Sequence, residues 1–153
     1  MKTIKLCKKY QADALKLITK TFGKQPEDDV DDIIEEAVPK SPYREKEHYV
    51  IFEKKNLVGI YGLYSGKEHP KNVIFIGWFI VDKKYRNRGI GSKIMKKVEK
   101  RSKELKKEFL YVISDNPAIS FYRKFGFKKS RAEGLKGFYF PKKCTLLYKR
   151  LKK

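Results

Sequence analysis

Two glycines, Gly89 and Gly91, lie in a basic turn that the sequence predicts to open a helix. Without a Cβ atom, backbone N–H groups at such positions can approach a ligand closely, and a helix N-terminus adds partial positive charge. Both properties favour the binding of a phosphate group. A second interpretation remains open, in which the glycines serve tight packing and the arginines of the turn are solvated. The residues that would form the phosphate site are Arg86, Asn87, Arg88, Gly89, Ile90, Gly91 and Ser92.

A tyrosine, Tyr122, lies in a second segment whose residue types could support chemistry. The segment begins with Asp115, Asn116 and Pro117, a combination typical of a helix N-terminus. Taken locally, the pattern predicts a short capped helix that ends before Gly126 and carries aromatic core residues. A phenol can also act as a proton donor, because it is protonated at neutral pH.

The element that leads into the glycine turn is an apolar run, Val73–Val81, of the kind that a strand buried on both faces requires. Gly77 within this strand predicts a bulge. The helix after the turn carries Ile90, Ile94, Val98 and Leu105 on one face. Further strands are predicted at 3–8, 48–53, 57–64, 108–114, 127–131 and 138–151, and further helices at 10–22, from residue 26, and up to residue 125. Asn56 is expected to take the left-handed conformation in the turn between the second and third strands.

The composition predicts one domain over residues 1–153, large enough to fold without disulfides or a structural metal. Its net charge of +20 indicates attraction to polyanions, of which a nucleotide cofactor is one. Cys7 and Cys144 are expected to be reduced core thiols, and neither has the spacing of a metal site. No signal-peptide pattern and no apolar run approaching about 18 residues is present, which predicts a cytoplasmic protein without a membrane partner.

The predicted helix from Pro26 has an acidic outer face in an otherwise basic chain. Acidic residues in a first turn complement the helix dipole, but seven carboxylates exceed that need. The pattern fits either a solvated face or a surface that attracts a cationic acceptor. The seven residues are Glu27, Asp28, Asp29, Asp31, Asp32, Glu35 and Glu36.

The two motifs together resemble the GCN5-related N-acetyltransferase (GNAT) superfamily. The acyl-CoA signature of that family, Arg/Gln-x-x-Gly-x-Gly/Ala after a strand that ends in Val-Asp, is matched by Val81-Asp82 and the run from Arg86 to Gly91. Its second motif, Asn-x-x-Ala-x-x-x-Tyr-x-x-x-Gly-Phe, is matched at Ala118, Tyr122, Gly126 and Phe127, with Asp115 in the Asn position. The resemblance covers nearly the whole chain. It implies an α/β (α+β) fold with a mixed, mostly antiparallel sheet of six to seven strands, about four flanking helices and the order βααβββαβαββ.

The resemblance implies an enzyme, an N-acetyltransferase that moves an acetyl group from acetyl-CoA to a primary amine by direct attack. The pyrophosphate would rest on backbone N–H groups from Asn87 to Ser92. Pantetheine would pair with the backbone of Phe79, Ile80 and Val81, with the Ile80 N–H aimed at the thioester oxygen, and it would contact either Asp115 or Asn116. Tyr122 would act as the general acid for the departing thiolate.

Several alternatives stay open at the level of sequence. The general base is not assigned, although Glu53, Glu68, His69 and Glu133 are candidates. An acyl-CoA-binding domain without turnover is one rival function, and a basic ribosome- or nucleic-acid-associated protein is another. The sequence lacks the clustered aromatics and glycines of an RNA-binding sheet, which argues against nucleic acid as a partner. The amine acceptor remains open, as does the choice between a monomer and a homodimer, and no metal is expected.

Overall fold

In the computed structural model, which describes residues 1–24, 43–130 and 144–152, a seven-stranded sheet forms the centre of the protein. The strands lie in the spatial order β1-β2-β3-β4-β5-β7-β6. All neighbours are antiparallel except β4 and β5, which run parallel. The strands are β1 (Lys2–Lys5), β2 (Tyr43–Glu53), β3 (Asn56–Gly66), β4 (Val73–Val81), β5 (Phe109–Asp115), β6 (Lys128–Lys129) and β7 (Cys144–Arg150).

Three α-helices pack on the two faces of this sheet within the described part of the chain: α1 (Lys8–Phe22), α2 (Ile90–Glu104) and α3 (Ile119–Lys124). Helix α1 buries Ala14, Leu17 and Ile18 in a cluster with side chains from one face of the sheet. Helix α2 buries its apolar stripe in a larger cluster on the other face, to which α3 adds Tyr122. Of the described helices, none is long and apolar enough to cross a membrane.

The mixed α/β architecture confirms the fold class that the sequence predicted. The expected second helix, with its seven carboxylates, lies outside the described residues, as does the loop of the last hairpin. Strand β2 begins at Tyr43, earlier than expected. The turn after it also differs, because the left-handed residue is Lys54, with φ 56°, rather than Asn56.

Strand β4 is the central element. The first half of its apolar run, residues 73–76, is buried on both faces as predicted, whereas most of the second half is half-buried. Ile74 and Ile76 belong to the cluster under α2, whereas Val73 and Phe75 point into a cluster on the opposite face. This alternation follows from the two-residue period of a strand, which sends successive side chains to opposite faces. Covering both faces leaves β4 in a fixed position between β3 and β5.

A bulge interrupts β4 immediately after Gly77, where the sequence predicted one. Gly77 pairs with Gly62, and Ile80 pairs with Ile60. Two residues of β4 therefore lie opposite one residue of β3, which is the defining feature of a bulge. The backbone turns at Trp78, which has a φ of 48° that a bulky residue rarely adopts.

An ion pair fixes α2 to the sheet. Arg101 of α2 donates from Nη2 to Oε1 of Glu47 at 2.6 Å and from Nε to Oε2 at 2.9 Å. The Tyr49 hydroxyl donates to the same carboxylate at 2.6 Å. The hydrogen bond from Arg101 and, to a smaller extent, that from Tyr49 lower the pKa of Glu47, against the opposing effect of its burial.

We expect Glu47→Gln to lower the free energy of unfolding by roughly 1–2 kcal/mol at pH 7. Because the folded-state pKa of Glu47 is lowered, its contribution is present above the unfolded-state value of about 4.3 and is lost as the pH falls through the folded-state value. The difference between wild type and variant should therefore shrink toward pH 3, as measured by urea unfolding.

Glu104→Gln is the matched control, because Glu104 accepts a hydrogen bond from the same Arg101 at 3.2 Å but its side chain is 47% exposed. An exposed partner of this kind should change stability by less than about 0.5 kcal/mol. Equal losses in the two variants, or a Glu47→Gln difference that persists at pH 3, would contradict this assignment.

Candidate active site

A cleft opens between β4 and β5 on the C-terminal side of the bulge. The two strands pair from Val73 with Phe109 to Ile76 with Val112, and in the described residues the pairing ends there. The cleft has a volume of about 1110 Å³ and is lined by β4 from Ile76 to Val81, by β5 from Val112 to Asp115, and by residues of α1, α2 and α3. The bulge therefore separates a paired half of β4 from a half whose edge faces a cavity.

Most of the residues that the sequence predicted for a site lie together in this cleft. Two of the predicted residues, Arg88 and Asn116, are not part of its described lining. The Arg88 guanidinium lies over the Tyr85 ring, 5.3 Å from its centroid. The predicted residues that line the cleft are Phe79, Ile80, Val81, Arg86, Asn87, Gly89, Ile90, Gly91, Ser92, Asp115 and Tyr122.

The backbone of β4 presents alternate residues to the cleft. In an antiparallel ladder, every second residue directs its N–H and C=O at the same neighbour. The Asp82 N–H donates to the Val58 carbonyl of β3 at 2.8 Å, and Ile80 pairs with Ile60, so Ile80 directs its N–H at β3. Val81 therefore directs its N–H at the cleft, and we infer the same for Phe79, the neighbour of Ile80 on the bulge side. This orientation corrects the expectation that the Ile80 N–H faces the ligand.

The first turn of α2 offers unsatisfied N–H groups at one end of the cleft. The first hydrogen bond within the helix runs from the Lys93 N–H to the Gly89 carbonyl at 3.1 Å. The N–H groups of Ile90, Gly91 and Ser92 precede that bond and have no acceptor inside the helix. Gly89 is the N-cap and supplies no side chain to cap them. This arrangement is suited to an anion.

The two glycines of the turn have different structural causes. Gly89 has φ 78°, in the left-handed region that favours glycine, and a Cβ there would meet no atom within 4 Å. A Cβ at Gly91 would lie 3.1 Å from Cε2 of Phe121 in α3. Packing therefore explains Gly91, whereas Gly89 combines a conformational need with open space toward the cleft.

The arginine of the turn also holds the strand edge. Arg86 Nε donates to the Val81 carbonyl at 3.0 Å, on the cleft side of β4. Asp82, the residue between strand and turn, accepts a hydrogen bond from the Lys84 N–H at 3.0 Å and lies 3.4 Å from the Lys20 ammonium. The turn is therefore attached both to β4 and to α1.

Tyr122 lies on the floor of the cleft and is 5% exposed. Its ring packs edge to face against Phe79 and Phe127, with centroids 5.9 and 5.5 Å apart. Burial and, secondarily, the negative charge of Asp115 raise the pKa of the Tyr122 phenol, so the hydroxyl is protonated at neutral pH. Asp115 itself caps the turn before α3, where its Oδ1 accepts the Ala118 N–H at 3.2 Å.

Sequence reasoning missed several residues of the cleft, chiefly its aromatic side chains Phe22, Tyr64, Trp78, Tyr85 and Phe121. A signal existed for Trp78, because it follows Gly77, but nothing in the sequence indicated that the end of α1 reaches the cleft. Cys144 also lines the cleft.

Three of the four candidate bases are not part of the described lining of this cleft. Glu53, Glu68 and His69 are outside its described lining, and Glu133 lies outside the described residues. His69 is buried beside Phe75, and its Nδ1 accepts the Gly66 N–H at 3.1 Å. Burial, with a smaller contribution from Arg44, lowers the pKa of His69. These contacts give it a structural role in the loop between β3 and β4.

Comparison with known proteins links the sequence and the fold to one family. The model of the acetyltransferase (GNAT) family matches residues 12–127. Among solved structures, Tetrahymena GCN5 is similar with a TM-score of 0.78 and 20% identity, over 99% of this chain and 97% of that chain. A GNAT-family acetyltransferase from Staphylococcus aureus Mu50 has a TM-score of 0.77 and 25% identity, over 99% of each chain.

A third structure, a GNAT-family acetyltransferase from Elizabethkingia anophelis with acetyl-CoA bound, has a TM-score of 0.55 and 21% identity, over 69% of this chain and 76% of that chain. No curated protein matches the sequence.

We expect Ser92→Glu to lower the affinity for coenzyme A about 10- to 100-fold, because it places a carboxylate against the pyrophosphate proposed to bind there. Ser92 is the third residue of α2, where a glutamate favours the helix dipole, so the folded state should keep or gain stability. Isothermal titration and thermal unfolding measure the two effects.

Two controls separate charge from size. Ser92→Gln adds the same bulk without charge, and Lys96→Gln, at an exposed position outside the cleft lining, changes the net charge by the same amount. Both should bind coenzyme A nearly as wild type does. If Ser92→Glu binds coenzyme A as tightly as wild type, or if the controls lose as much affinity, the pyrophosphate does not bind at the N-terminus of α2.

Proposed function

The chain belongs to the acetyltransferase (GNAT) family, and we propose that it transfers the acetyl group of acetyl-CoA to a primary amine in the cleft between β4 and β5. The observation that carries this proposal is the unpaired edge of β4 beside the first turn of α2. That edge offers main-chain hydrogen bonds at the position where an extended ligand could lie as an additional strand. The first turn of α2 offers an anion site at one end of the same edge.

The residues present fit acetyl-CoA. The cleft volume of about 1110 Å³ suffices for an elongated cofactor, since drug-sized ligands occupy roughly 300–1,000 Å³. The N–H groups of Ile90, Gly91 and Ser92 would hold the pyrophosphate, and the backbone N–H groups of Phe79 and Val81 would pair with pantetheine. Asp115, rather than Asn116, lines the cleft and is the closer candidate for a pantetheine contact.

Acetyl-CoA supplies an activated thioester. In the transfer a C–N bond forms and the C–S bond breaks, the sulfur leaves with the bonding electron pair, and the nitrogen loses a proton to water. The Phe79 N–H would be the donor to the thioester oxygen in this proposal, because Ile80 is engaged with β3. A fixed donor aimed at developing negative charge contributes about 3–4 kcal/mol to lowering such a barrier.

Tyr122 would act on the leaving sulfur. Its raised pKa keeps the hydroxyl protonated, and the ring contacts with Phe79 hold it beside the proposed donor. That pKa exceeds the value of about 8.5 typical of a thiol. We therefore replace full proton transfer by hydrogen bonding in the role of Tyr122. Its O–H would donate a hydrogen bond to the departing thiolate and keep its proton.

Removal of the amine proton is left to water in this proposal. Arg86 and Asp115 are the charged side chains of the described cleft lining, and Asp115 is engaged in capping the turn before α3. The acceptor would therefore enter as the neutral amine.

We expect Tyr122→Phe to lower kcat about 10- to 100-fold with little change in the KM for acetyl-CoA, because a hydrogen bond to a charged group is lost while the ring remains. Steady-state assays of thiol release measure both constants. Tyr85→Phe is the matched control, because it removes another phenol from the same cleft at the glycine-turn end. Unchanged kcat in Tyr122→Phe, or an equal fall in Tyr85→Phe, would refute the role of Tyr122.

A further inference from the structure

Two aromatic side chains frame the cleft on the bulge side, Phe22 and Trp78. Phe22 is the last residue of α1, and its ring centroid lies 6.0 Å from that of Trp78 at an interplanar angle of 51°. Phe22 is 46% exposed, and Met1 is the other large hydrophobic residue of the described chain with comparable exposure. An exposed ring at the entrance of a cleft, packed against a second ring, offers an aromatic surface to a ligand.

Trp78 adopts a backbone conformation at this entrance that a bulky residue disfavours. Its φ of 48° lies in the left-handed region, which is strained for a bulky residue. Such strain persists where the surrounding structure determines it, and it is found most often at ligand sites. Here the surrounding structure is the bulge, which is fixed by the pairing of Gly77 with Gly62 and of Ile80 with Ile60.

The position of the two rings relative to the proposed cofactor assigns them to the acceptor. The pyrophosphate site at α2 and the backbone groups of Val81 and Phe79 follow one another along β4 toward the bulge. Trp78 is the residue next to Phe79 on the bulge side. An amine that attacks a carbonyl held at Phe79 therefore approaches past Phe22 and Trp78.

The net charge of the chain and the described lining of the cleft both disfavour a polycationic acceptor. The chain carries a net charge of +20, which repels cations in solution. In the described lining, the one carboxylate is that of Asp115, which caps the turn before α3. The described part of the lining thus provides aromatic surface and a single carboxylate, too little to hold several positive charges.

We infer that the acceptor is a primary amine carried on an aromatic body, which packs against Phe22 and Trp78. This inference rests on the proposed transfer to an amine and adds the substrate class. It distinguishes the acceptor from the polycation that the predicted acidic helix, outside the described residues, would attract.

Trp78 provides a readout of acceptor binding that does not need turnover, because it is the only tryptophan of the chain. We expect 2-phenylethylamine to change the tryptophan emission with saturation, at lower concentration than hexylamine, and spermidine to leave it unchanged at the same ionic strength. The same order should appear in kcat/KM for thiol release from acetyl-CoA, with 2-phenylethylamine favoured about tenfold or more over spermidine.

Phe22→Leu tests the ring itself, because it keeps apolar area while removing the aromatic face. We expect the KM for 2-phenylethylamine to rise about 2- to 10-fold, with the KM for acetyl-CoA unchanged. Tyr10→Leu is the matched control, because it removes a ring from the same helix that packs on Phe52, at 5.1 Å and outside the cleft lining. This control should leave both constants unchanged.

The outcomes separate this inference from the proposed function. Thiol release with spermidine at least as efficient as with 2-phenylethylamine would overturn the inference and leave the transferase intact, and so would a Phe22→Leu effect on acetyl-CoA alone. Absence of thiol release with every amine would count against the proposed transfer. The emission titration then still decides the inference, since saturable binding of 2-phenylethylamine but not of spermidine supports it and the reverse contradicts it.

Discussion

The structure depends on one irregularity, the bulge that follows Gly77 in the central strand. Before it, β4 is hydrogen-bonded on both edges and buried on both faces. After it, the pairing with β5 ends and one edge of β4 faces the cleft. Backbone groups that lose a strand neighbour need other partners, and an unpaired edge is a template for an extended ligand. The bulge thus makes the second half of β4 available to a ligand, while the order of the strands in the sheet stays the same.

The elements around the bulge hold that surface in place. Helix α2 begins immediately after β4, so its N-terminus lies at the end of the unpaired edge, and the contact of Arg101 with Glu47 ties the same helix to β2. Gly91 lets Phe121 approach α2 closely, which brings α3 and its Tyr122 to the floor of the cleft. The first turn of α2, the strand edge and the phenol are therefore positioned by contacts of α2 with the sheet and with α3.

The sequence predicted those features that follow from local rules. The buried strand, the bulge at Gly77 and the helix ends at Asp115 and Gly126 each follow from residue type and short-range pattern. The orientation of the Ile80 N–H could not be predicted, because it depends on the register with β3 on the far side of the bulge. The sequence also could not predict that Phe121 packs against Gly91 or that Phe22 lines the cleft, because both depend on contacts between elements distant in the chain.

The central claim is that the unpaired edge of β4 takes acetyl-CoA as an additional strand. Amide hydrogen exchange of three consecutive residues, measured by NMR with and without coenzyme A, tests it most directly. Coenzyme A should slow exchange at Phe79 and Val81, whose N–H groups face the cleft, and leave that of Ile80, which is bonded within the sheet, nearly unchanged. Exchange at Phe79 and Val81 that is unaffected by saturating coenzyme A would contradict the claim.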